Sequence, residues 1–402
     1  MPITLDATNK KLQIVLSAAK TTNDCPVVST YGDISTTNGA TTLIENDTTS
    51  NGTTATDIVS APSSGFTRAI KGVSVYNADT VATIVTIQYV NNVTVRILCQ
   101  VLLSPGQTLV YSENGQWLII PSYLSIDPGL CEGRLTLTSG TPVTTSDVTG
   151  ATTVYFTPYK GNRISLYTNS AWTLYTFTER SIALGTLTSG LPYDVFIYDN
   201  SGTLTLEMVA WTSGTARATA IVLQDGVYVK SGSTNKRYLG TFYTSGTTTT
   251  EDSAAKRYLW NYYNRVERQM SVSDTNSTAL STASTSFVEV STSDRLQYVI
   301  GVAETEVDIT LFASVNNNTA GSTCACGIGL DSATVDSSTM GSNMSAPVNT
   351  TGVIPIVTRY IGYPAIGFHY NSWLAKVGAN TGTFYGTAGL SWKSGLTGRM
   401  DI

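Results

Sequence analysis

Apolar and polar residues alternate with a period of two along most of this chain. In Lys11 to Leu16, the residues Leu12, Ile14 and Leu16 alternate with more polar positions. The runs AIKGVSVYN, TIVTIQYV, VTVRILCQVLL and GQWLII continue the pattern. Successive side chains of a strand point to opposite faces, so each run predicts a β-strand. Residues 1–121 are predicted to form a β-sandwich unit, with a polar loop over residues 35–62.

A second series of strand patterns runs from residue 134 to residue 270. It contains TTVYFTPYKGNRISLYTNSAWTLYTF, YDVFIYDNSGTLTLEMVAW and TAIVLQDGVYVKSG. Asn200-Ser201-Gly202 and Gln224-Asp225-Gly226 separate these runs, and such residues favour tight hairpin turns. The pattern predicts a middle β-meander domain at 134–270. Residues 121–128 and 271–283 are predicted to be connecting segments.

Residues 284–402 give a third series of strand patterns. The runs are SFVEVS, LQYVIGVAETEVDITLFASV, GVIPIVTRYIGYPAIGFHYNSWLAKV and the closing GLTGRMDI. We find no helical pattern longer than about twelve residues and no repeat of about 20–50 residues, which disfavours propellers and solenoids. The sequence therefore predicts an all-β protein with serial β-sandwich or jelly-roll-like domains. Without a coiled-coil pattern, any oligomer is expected to be held by faces of β-domains, with the closing segment at a subunit seam.

The composition narrows the class of protein. Charged residues make up 13% of the 402 residues, against roughly 25% in an ordinary soluble domain, and Thr and Ser take their place. The net charge of -5 argues against nucleic-acid binding. The five cysteines are widely scattered and are interpreted as thiols, and no cofactor is expected. The N-terminus lacks a signal-peptide pattern and no run approaches the roughly 18 apolar residues of a membrane span, so no membrane insertion is expected.

The stretch KRYLWNYYNRVERQM, residues 256–270, stands out because it combines basic and aromatic residues. Aromatic side chains in a basic groove can bind single-stranded nucleic acid. However, the basic residues are split between the two ends of the stretch, and Glu251, Asp252 and Glu267 lie beside them. A strand of this composition also closes a domain well, since aromatics bury large areas. We interpret the stretch as a structural strand.

Enzymatic chemistry has few candidates in this sequence. The chain has one histidine, His369, in an aromatic context, and no nucleophile-elbow motif accompanies it. Two sets of carboxylates could in principle serve a glycosidase or bind a cation. The residues of the first set are Glu304, Glu306 and Asp308, and those of the second are Asp194, Asp199 and Glu207.

Both carboxylate sets also have structural interpretations. Glu304, Glu306 and Asp308 share one face of a predicted strand, as on a strand whose outer face is solvated. A calcium site at these three residues remains an open alternative, although no calcium-loop motif is present. Asp194, Asp199 and Glu207 lie at or beside predicted turns. No residue is assigned a catalytic role, and the sequence predicts a protein that is not an enzyme.

The middle domain resembles a segment that recurs in virion proteins of tailed bacteriophages, often described as tail fibre or minor tail proteins. The matching stretches are TPYKGNRISLYTNSAWTLYTF, LTSGLPYDVFIYDNSGTLTLEMVAWTSGTARATAIVLQDGVYVKSG and KRYLGTFYTSGTTTTEDSAAKRYLWNYYNRV. The N-terminal unit, with LDATNKKLQIVL and LLSPGQTLVYSENGQW, is similar to a module of the same kind of protein. The resemblance covers residues 1–270 and extends more loosely to the end of the chain. It is a match of phrases and contains no catalytic signature.

This resemblance implies a structural protein of a phage virion, folded in the host cytoplasm and assembled as a homotrimer. Its partners would be other virion proteins of the tail, baseplate or capsid, and a host surface glycan or protein. By analogy, the N-terminal unit attaches to the particle and the C-terminal unit faces outward. The receptor-contact candidates are the aromatic residues of the C-terminal unit: Tyr360, Tyr363, His369, Tyr370, Trp373, Tyr385 and Trp392.

Three functions remain open at this point. The first is a short tail fibre or spike-like adhesin that binds the host surface. The second is a capsid decoration protein or head fibre. The third is a polysaccharide depolymerase, which the resemblance disfavours because phage enzymes of that class are usually long parallel β-helices.

Overall fold

The computed structural model describes residues 3–120, 127–341, 343–345, 352–388 and 393–402. Within these ranges the regular structure is β-strand, apart from one 3-10 turn at Thr292–Asp294. The sheets are almost entirely antiparallel, so the predicted all-β class is confirmed. The chain divides into two compact units, residues 1–125 and 126–402.

The described residues of the first unit form ten strands. They are β1 (Thr4–Leu5), β2 (Lys10–Leu16), β3 (Pro26–Ser35), β4 (Thr41–Thr49), β5 (Thr56–Val59), β6 (Phe66–Tyr76), β7 (Thr83–Asn91), β8 (Thr94–Leu103), β9 (Thr108–Ser112) and β10 (Trp117–Ile120). One sheet has the order β10-β9-β6-β3-β4, with β1 beside β6, and the other has the order β5-β2-β7-β8.

The two sheets of the first unit enclose one apolar core. In β2, Leu12 and Ile14 are fully buried, as the alternating pattern predicts. They meet Val73 and Val75 of β6, from the other sheet, in the same core. The predicted hairpin between β7 and β8 is confirmed, but its two turn residues are Asn92 and Val93, because Asn91 still pairs with Thr94. Asn92 has a positive φ of 55°.

The predicted polar loop over residues 35–62 is wrong in its central part. Residues 41–49 form β4, an edge strand that pairs with β3 over nine residues, and residues 56–59 form β5 beside β2. β4 has few apolar side chains and is largely exposed. Backbone pairing with β3 holds it in the sheet, and such pairing leaves little hydrophobic signal in a sequence.

The described residues of the second unit form twenty-six strands. They are β11 (Gly133–Thr136), β12 (Val148–Ala151), β13 (Thr153–Pro158), β14 (Arg163–Thr168), β15 (Ala171–Thr176), β16 (Arg180–Ala183), β17 (Pro192–Asn200), β18 (Thr203–Ala210), β19 (Ile221–Gln224), β20 (Val227–Lys230), β21 (Ser233–Tyr243), β22 (Thr250–Asp252), β23 (Lys256–Arg257), β24 (Leu259–Asn261), β25 (Glu267–Ser273), β26 (Thr278–Thr282), β27 (Val288–Glu289), β28 (Leu296–Ile300), β29 (Val307–Asn317), β30 (Thr323–Leu330), β31 (Met340–Gly341), β32 (Asn343–Ser345), β33 (Ile354–Gly362), β34 (Gly367–Val377), β35 (Gly382–Tyr385) and β36 (Gly395–Asp401).

The described residues of the second unit form five sheets. The first three have the orders β11-β13-β16, β14-β15 and β18-β17-β21-β20-β19, the last with β24 beside β21. The fourth has the order β12-β22-β23-β28-β34-β30-β32, with β27 beside β34. The fifth has the order β25-β36-β29-β33-β31, with β35 beside β29 and β26 beside β35. The fourth of these joins strands from the segments predicted as separate middle and C-terminal domains. The link is the parallel pairing of β23 with β28. The segment at 271–283, predicted as a connector, contains the end of β25 and all of β26.

The basic and aromatic stretch at 256–270 is part of the packed interior. Trp260 and Leu259 are 0% and 4% exposed. Trp260 packs into a core built mainly from residues 270–402, whereas Leu259 packs into a core built from residues 131–242. Adjacent residues of a strand point to opposite faces, so β24 separates two cores and leaves no face for a nucleic acid.

The closing segment GLTGRMDI forms β36, inside the chain's own sheet. β36 pairs with β25 on one side and with β29 on the other. Ile402 is 1% exposed, and its backbone oxygen accepts a hydrogen bond of 2.7 Å from Arg134. The burial of this segment is therefore explained within one chain and needs no subunit seam.

Candidate binding surface

The candidate binding surface of the second unit is one side of its seven-stranded sheet, which combines exposed apolar, aromatic and charged side chains. This sheet consists of β25, β36, β29, β33, β31, β35 and β26. In β29 the residues Val307, Ile309 and Leu311 point into the core and are fully buried. The alternate residues point outward, and Phe312 is 36% exposed. We call this side of the sheet the outer face.

Apolar side chains cover one half of the outer face. Phe312 lies opposite Val357 of β33 in the register of the sheet. Met340 of β31 is the most exposed of the three, at 66%. Val357 and Met340 line a shallow cleft of about 430 Å³, and Phe312 lines a neighbouring one of about 330 Å³.

A row of alternating charges crosses the other half of the outer face. Arg399 of β36 binds Glu267 of β25 at 3.2 Å and lies 3.6 Å from Asp308 of β29. Arg359 of β33 forms a two-pronged ion pair with Asp308, at 2.8 and 2.6 Å. The hydrogen bond from Arg359 and the positive charge beside it lower the pKa of Asp308 below its ordinary value. A cleft of about 160 Å³ opens along this row.

Tyr363 stands at the border of the charged half. Its ring is 66% exposed, and its hydroxyl donates a hydrogen bond of 3.0 Å to Glu306. That hydrogen bond and the carboxylate charge raise the pKa of Tyr363. An exposed aromatic ring beside carboxylates and guanidinium groups can contact the apolar face of a sugar or a peptide side chain while the charged groups bind its polar atoms.

The three carboxylates proposed as a calcium alternative do not converge. Glu304 pairs with Arg265, Glu306 accepts from Tyr363, and Asp308 is held by arginines. Among the described residues, no group of three or more His, Cys, Asp or Glu side chains is arranged to hold a metal ion. Each carboxylate therefore has its own partner, as expected for a solvated strand face.

The aromatic residues predicted to contact a receptor have very different exposures. Tyr363 is exposed, whereas Tyr360, His369 and Trp373 are buried, at 7%, 4% and 0% exposure. His369 and Trp373 lie four residues apart on the regularly buried face of β34, and Tyr360 lies at a buried position of β33, so alternation alone did not tell which face of each strand is covered.

The remaining predicted contact residues are half-buried or undescribed. Tyr370 packs against Arg295, whose guanidinium carbon lies 3.9 Å from the ring centroid. Tyr385 is half-buried in β35. Trp392 lies outside the described residues. Tyr363 is thus the exposed member among the candidates that the structure describes.

His369 is a structural residue with both ring nitrogens bonded. Nδ1 lies 2.7 Å from Oδ2 of Asp331, and Nε2 lies 2.8 Å from the carbonyl oxygen of Ala365. The carbonyl oxygen accepts only, so Nε2 must carry a proton. This arrangement ties β34 to the turn that follows β30 and leaves neither nitrogen available to a substrate.

The carboxylates of the middle region are likewise occupied by structural partners. Asp194 is 1% exposed and forms a two-pronged ion pair with Arg217. Asp199 accepts from the backbone N–H of Gly202 and closes the β17–β18 turn. Glu207 binds Lys230 and Lys236.

The first unit has an exposed aliphatic surface of its own. β8 is the edge strand of its sheet, and Val93, Val95, Ile97 and Leu102 in or beside it are between 52% and 87% exposed. Ile84 of β7 lies opposite Leu102 and is also exposed. An edge strand with exposed aliphatic side chains offers both backbone groups and an apolar surface to a partner.

The aromatic and charged motifs of the sequence did not predict the apolar half of the outer face or the aliphatic surface of β8. The sequence feature that marks these surfaces is an apolar residue at an outward-pointing position of an alternating strand, such as Phe312 or Ile97. Alternation alone does not say which of the two faces is covered.

The comparisons give no family for this chain. No helix in the described ranges is long and apolar enough to cross a membrane. Neither a protein-family model nor a curated protein matches the sequence.

Proposed function

We propose that this chain is a structural protein of a tailed-bacteriophage virion that acts as a short tail fibre or spike-like adhesin. In this proposal it folds as β-sandwich units, assembles as a homotrimer and binds a host surface glycan or protein. In this proposal it has no enzymatic role, and the structural partners of the carboxylates considered for sugar cleavage support that.

The observation that carries the proposal is the outer face of the C-terminal sheet. There an exposed ring, Tyr363, borders a row of four charged side chains, and an apolar patch around Phe312 lies on the far side of that row. An apolar patch flanked by charged groups is the usual anatomy of a recognition surface. The resemblance to tail fibre proteins and the low charge of the chain support the same function.

The aliphatic surface of β8 supports attachment of the first unit to another virion protein. A capsid decoration protein or head fibre would use such a surface equally well, so this observation keeps that alternative open. Immunogold electron microscopy of intact phage distinguishes the two. Gold at the tail or baseplate supports the adhesin, and gold over the head overturns it in favour of the decoration protein.

Binding of the full chain to host envelopes tests the recognition surface. We expect the variant Tyr363→Ala to lose most of its binding in a pull-down assay with no change in melting temperature, because an exposed ring contributes little to folding. The matched control is Tyr76→Ala, which removes another exposed tyrosine, from the first unit. Equal binding by wild type and Tyr363→Ala would remove the outer face from the proposal.

A further inference from the structure

A cleft of about 480 Å³ opens between β16 and β18 of the second unit. β16 is an edge strand of the sheet β11-β13-β16, and β18 is an edge strand of the sheet β18-β17-β21-β20-β19. Both strands pack on the same apolar core, to which β16 contributes Ile182 and β18 contributes Leu204 and Leu206. The cleft therefore lies between two sheets that share a core, and each sheet borders it with an edge that no described strand pairs with.

Arg180 is the first residue of β16 and lines this cleft. In the register of the sheet it lies opposite Phe156, a core residue that is 1% exposed. Directly paired residues of neighbouring strands point to the same face, and so do residues two apart in one strand, such as Arg180 and Ile182. The Arg180 side chain thus leaves β16 on the side of the core, where it is half-buried.

Arg180 has no partner in the part of the chain that the structure describes. Its guanidinium group forms no ion pair there, and Nε is buried without a hydrogen-bond partner. The adjacent carboxylate of Glu179 is engaged elsewhere, because it accepts from Ser139 and Gly140 at 2.6 Å and from Thr157 at 2.5 Å. A half-buried cation without a partner is costly, since burial removes the water that would otherwise solvate it.

The other buried and half-buried arginines of the described residues all have partners. Most of them bind a carboxylate, as Arg217 binds Asp194. Arg134 and Arg237 donate to backbone carbonyl oxygens instead. Among the described residues, the one further arginine without a partner is Arg96, which is exposed in β8. Arg180 therefore stands out as a cation that is withdrawn from water and left unpaired inside a cleft.

The lining of the cleft indicates the chemical class of a ligand. A guanidinium group binds a carboxylate through two parallel hydrogen bonds. The lining holds one basic and one acidic side chain, so it suits a singly charged carboxylate better than a phosphate. Ser181 and Thr205 add hydroxyl groups, and Leu204 and Leu206 add an apolar surface. A carboxylate, several hydroxyls and an apolar ring face are together the features of an acidic sugar.

We propose that the cleft between β16 and β18 binds an acidic sugar unit of the uronic acid type, with its carboxylate paired to Arg180. The hydroxyls of Ser181 and Thr205 then bind ring hydroxyls, and Leu204 contacts the apolar face of the ring. The cleft volume of about 480 Å³ lies within the range of small-molecule sites. This inference does not rest on the proposed function, because none of the residues that line this cleft belongs to the outer face.

Two matched glycosides test this proposal on the full wild-type chain, by ligand-observed NMR titration at neutral pH. Methyl β-D-glucuronide carries a carboxylate where methyl β-D-glucoside carries a neutral hydroxymethyl group. We expect the glucuronide to bind with a Kd on the order of 1 mM and the glucoside at least about tenfold more weakly. Equal binding of the two glycosides, or no binding of the glucuronide, overturns the proposal.

A pair of variants assigns the binding to Arg180. Arg180→Gln should weaken binding of the glucuronide by about tenfold or more and leave binding of the glucoside unchanged. The matched control is Arg96→Gln, which removes the other arginine without a partner and should bind like the wild type. Melting temperatures show whether both variants are folded. Wild-type affinity in a folded Arg180→Gln variant, or an equal loss in both variants, overturns the assignment to this cleft.

An acidic peptide group is the competing ligand. N-acetyl-glutamate methylamide presents a carboxylate without a sugar ring, and we expect it to bind at least about tenfold more weakly than the glucuronide. If it binds as tightly as the glucuronide and also depends on Arg180, the cleft recognises carboxylates of peptides as well, and the assignment to sugars is overturned.

Discussion

The second unit contains two buried acidic regions that are compensated in different ways. Asp194 is 1% exposed and is bound by Arg217 at 2.6 and 3.1 Å and by the Thr241 hydroxyl at 2.7 Å. Asp294 is nearly as buried, yet it faces the carboxylate of Asp274 and has one oxygen without a partner. The two aspartates are thus buried to a similar depth but have different partners.

The partners of a buried aspartate decide its electrostatic role. Arg217 lies between the ring of Trp211, 4.5 Å from its guanidinium carbon, and the carbonyl of Gly301, which it binds at 2.7 Å. Burial raises the pKa of Asp194, and the hydrogen bond and charge of Arg217 oppose that rise, so this fixed cation compensates the buried carboxylate. The Asp274–Asp294 pair has no such built-in cation among the described residues, so the charge of Asp294 depends on the pH.

The largest loss of stability is expected when Asp194 is deprived of its cation, so that its surroundings resemble those of the Asp274–Asp294 pair. The variant Arg217→Ala leaves Asp194 buried without a cation, and breaking a buried pair in this way costs about 3–5 kcal/mol. We expect the free energy of unfolding of the second unit to fall by that amount. Urea denaturation followed by tryptophan fluorescence measures it.

A double variant separates lost charge pairing from lost packing. Asp194→Asn combined with Arg217→Ala removes both charges and should restore part of the stability lost in Arg217→Ala alone. If the double variant is as unstable as the sum of the two single variants, the ion pair does not couple these residues. The contrast between the two regions would then be mistaken.

A change of intermediate size in the free energy of unfolding is expected when the uncompensated charge of Asp294 is removed. Because burial and the neighbouring Asp274 carboxylate raise the pKa of Asp294 to about 6 in the folded state, the folded protein carries an unfavourable buried charge above that pH. The resulting loss of stability is absent in acid below the ordinary value of 3.8, grows as the pH rises towards the folded pKa and is complete above it. In EDTA at about pH 8, Asp294→Asn should therefore stabilise the second unit by about 1–3 kcal/mol.

The pH profile provides the control for this variant. In EDTA, the wild type should gain stability relative to Asp294→Asn as the pH falls from about 8 to 4, so that the two curves converge. A constant difference across this range would show that Asp294 does not titrate, and the pair would then be compensated by a group that is present at every pH.

The sequence predicts much of the strand content and some of the packing. The alternation in Lys11–Leu16 correctly predicts β2, and the hairpin between β7 and β8 is present with its turn one residue later than expected, at Asn92-Val93. The structural interpretation of the stretch at 256–270 is also consistent with the burial of Trp260. What the pattern does not predict is β4, which depends on backbone pairing with β3, and the sheet that joins β23 to β28.

The candidate surfaces were harder to predict because exposure depends on distant segments. Trp373 and Tyr363 are both aromatic residues of the C-terminal region, yet one is 0% and the other 66% exposed. Asp274 and Asp294 each end a Ser-X-Ser-Asp stretch, SVSD and STSD, and neither suggests the other. They interact only in the folded chain, a long-range relation that residue spacing does not contain.

The smallest loss of stability is expected on the outer face, where Asp308 is paired with Arg359 close to solvent. The ion pair with Arg359 lowers the pKa of Asp308, so its contribution to stability is present above the ordinary value of 3.8. This contribution is lost as the pH falls through the lower folded value. Because the Arg359 side chain is 41% exposed, solvent screens the pair. Asp308→Asn should therefore cost less than about 1 kcal/mol at neutral pH.

The stability lost on breaking an exposed ion pair can also be compared directly with the stability lost on breaking a buried one. Urea denaturation of Asp308→Asn beside Arg217→Ala, in the same buffer, measures the ratio of the two losses. The loss from Asp308→Asn should shrink further in high salt, which screens exposed charges, whereas the loss from Arg217→Ala should not. A loss from Asp308→Asn that matches that of Arg217→Ala and resists salt would mean that the outer face is covered in the assembled protein. In that case the row of charges belongs to a subunit interface, and the recognition surface must lie elsewhere.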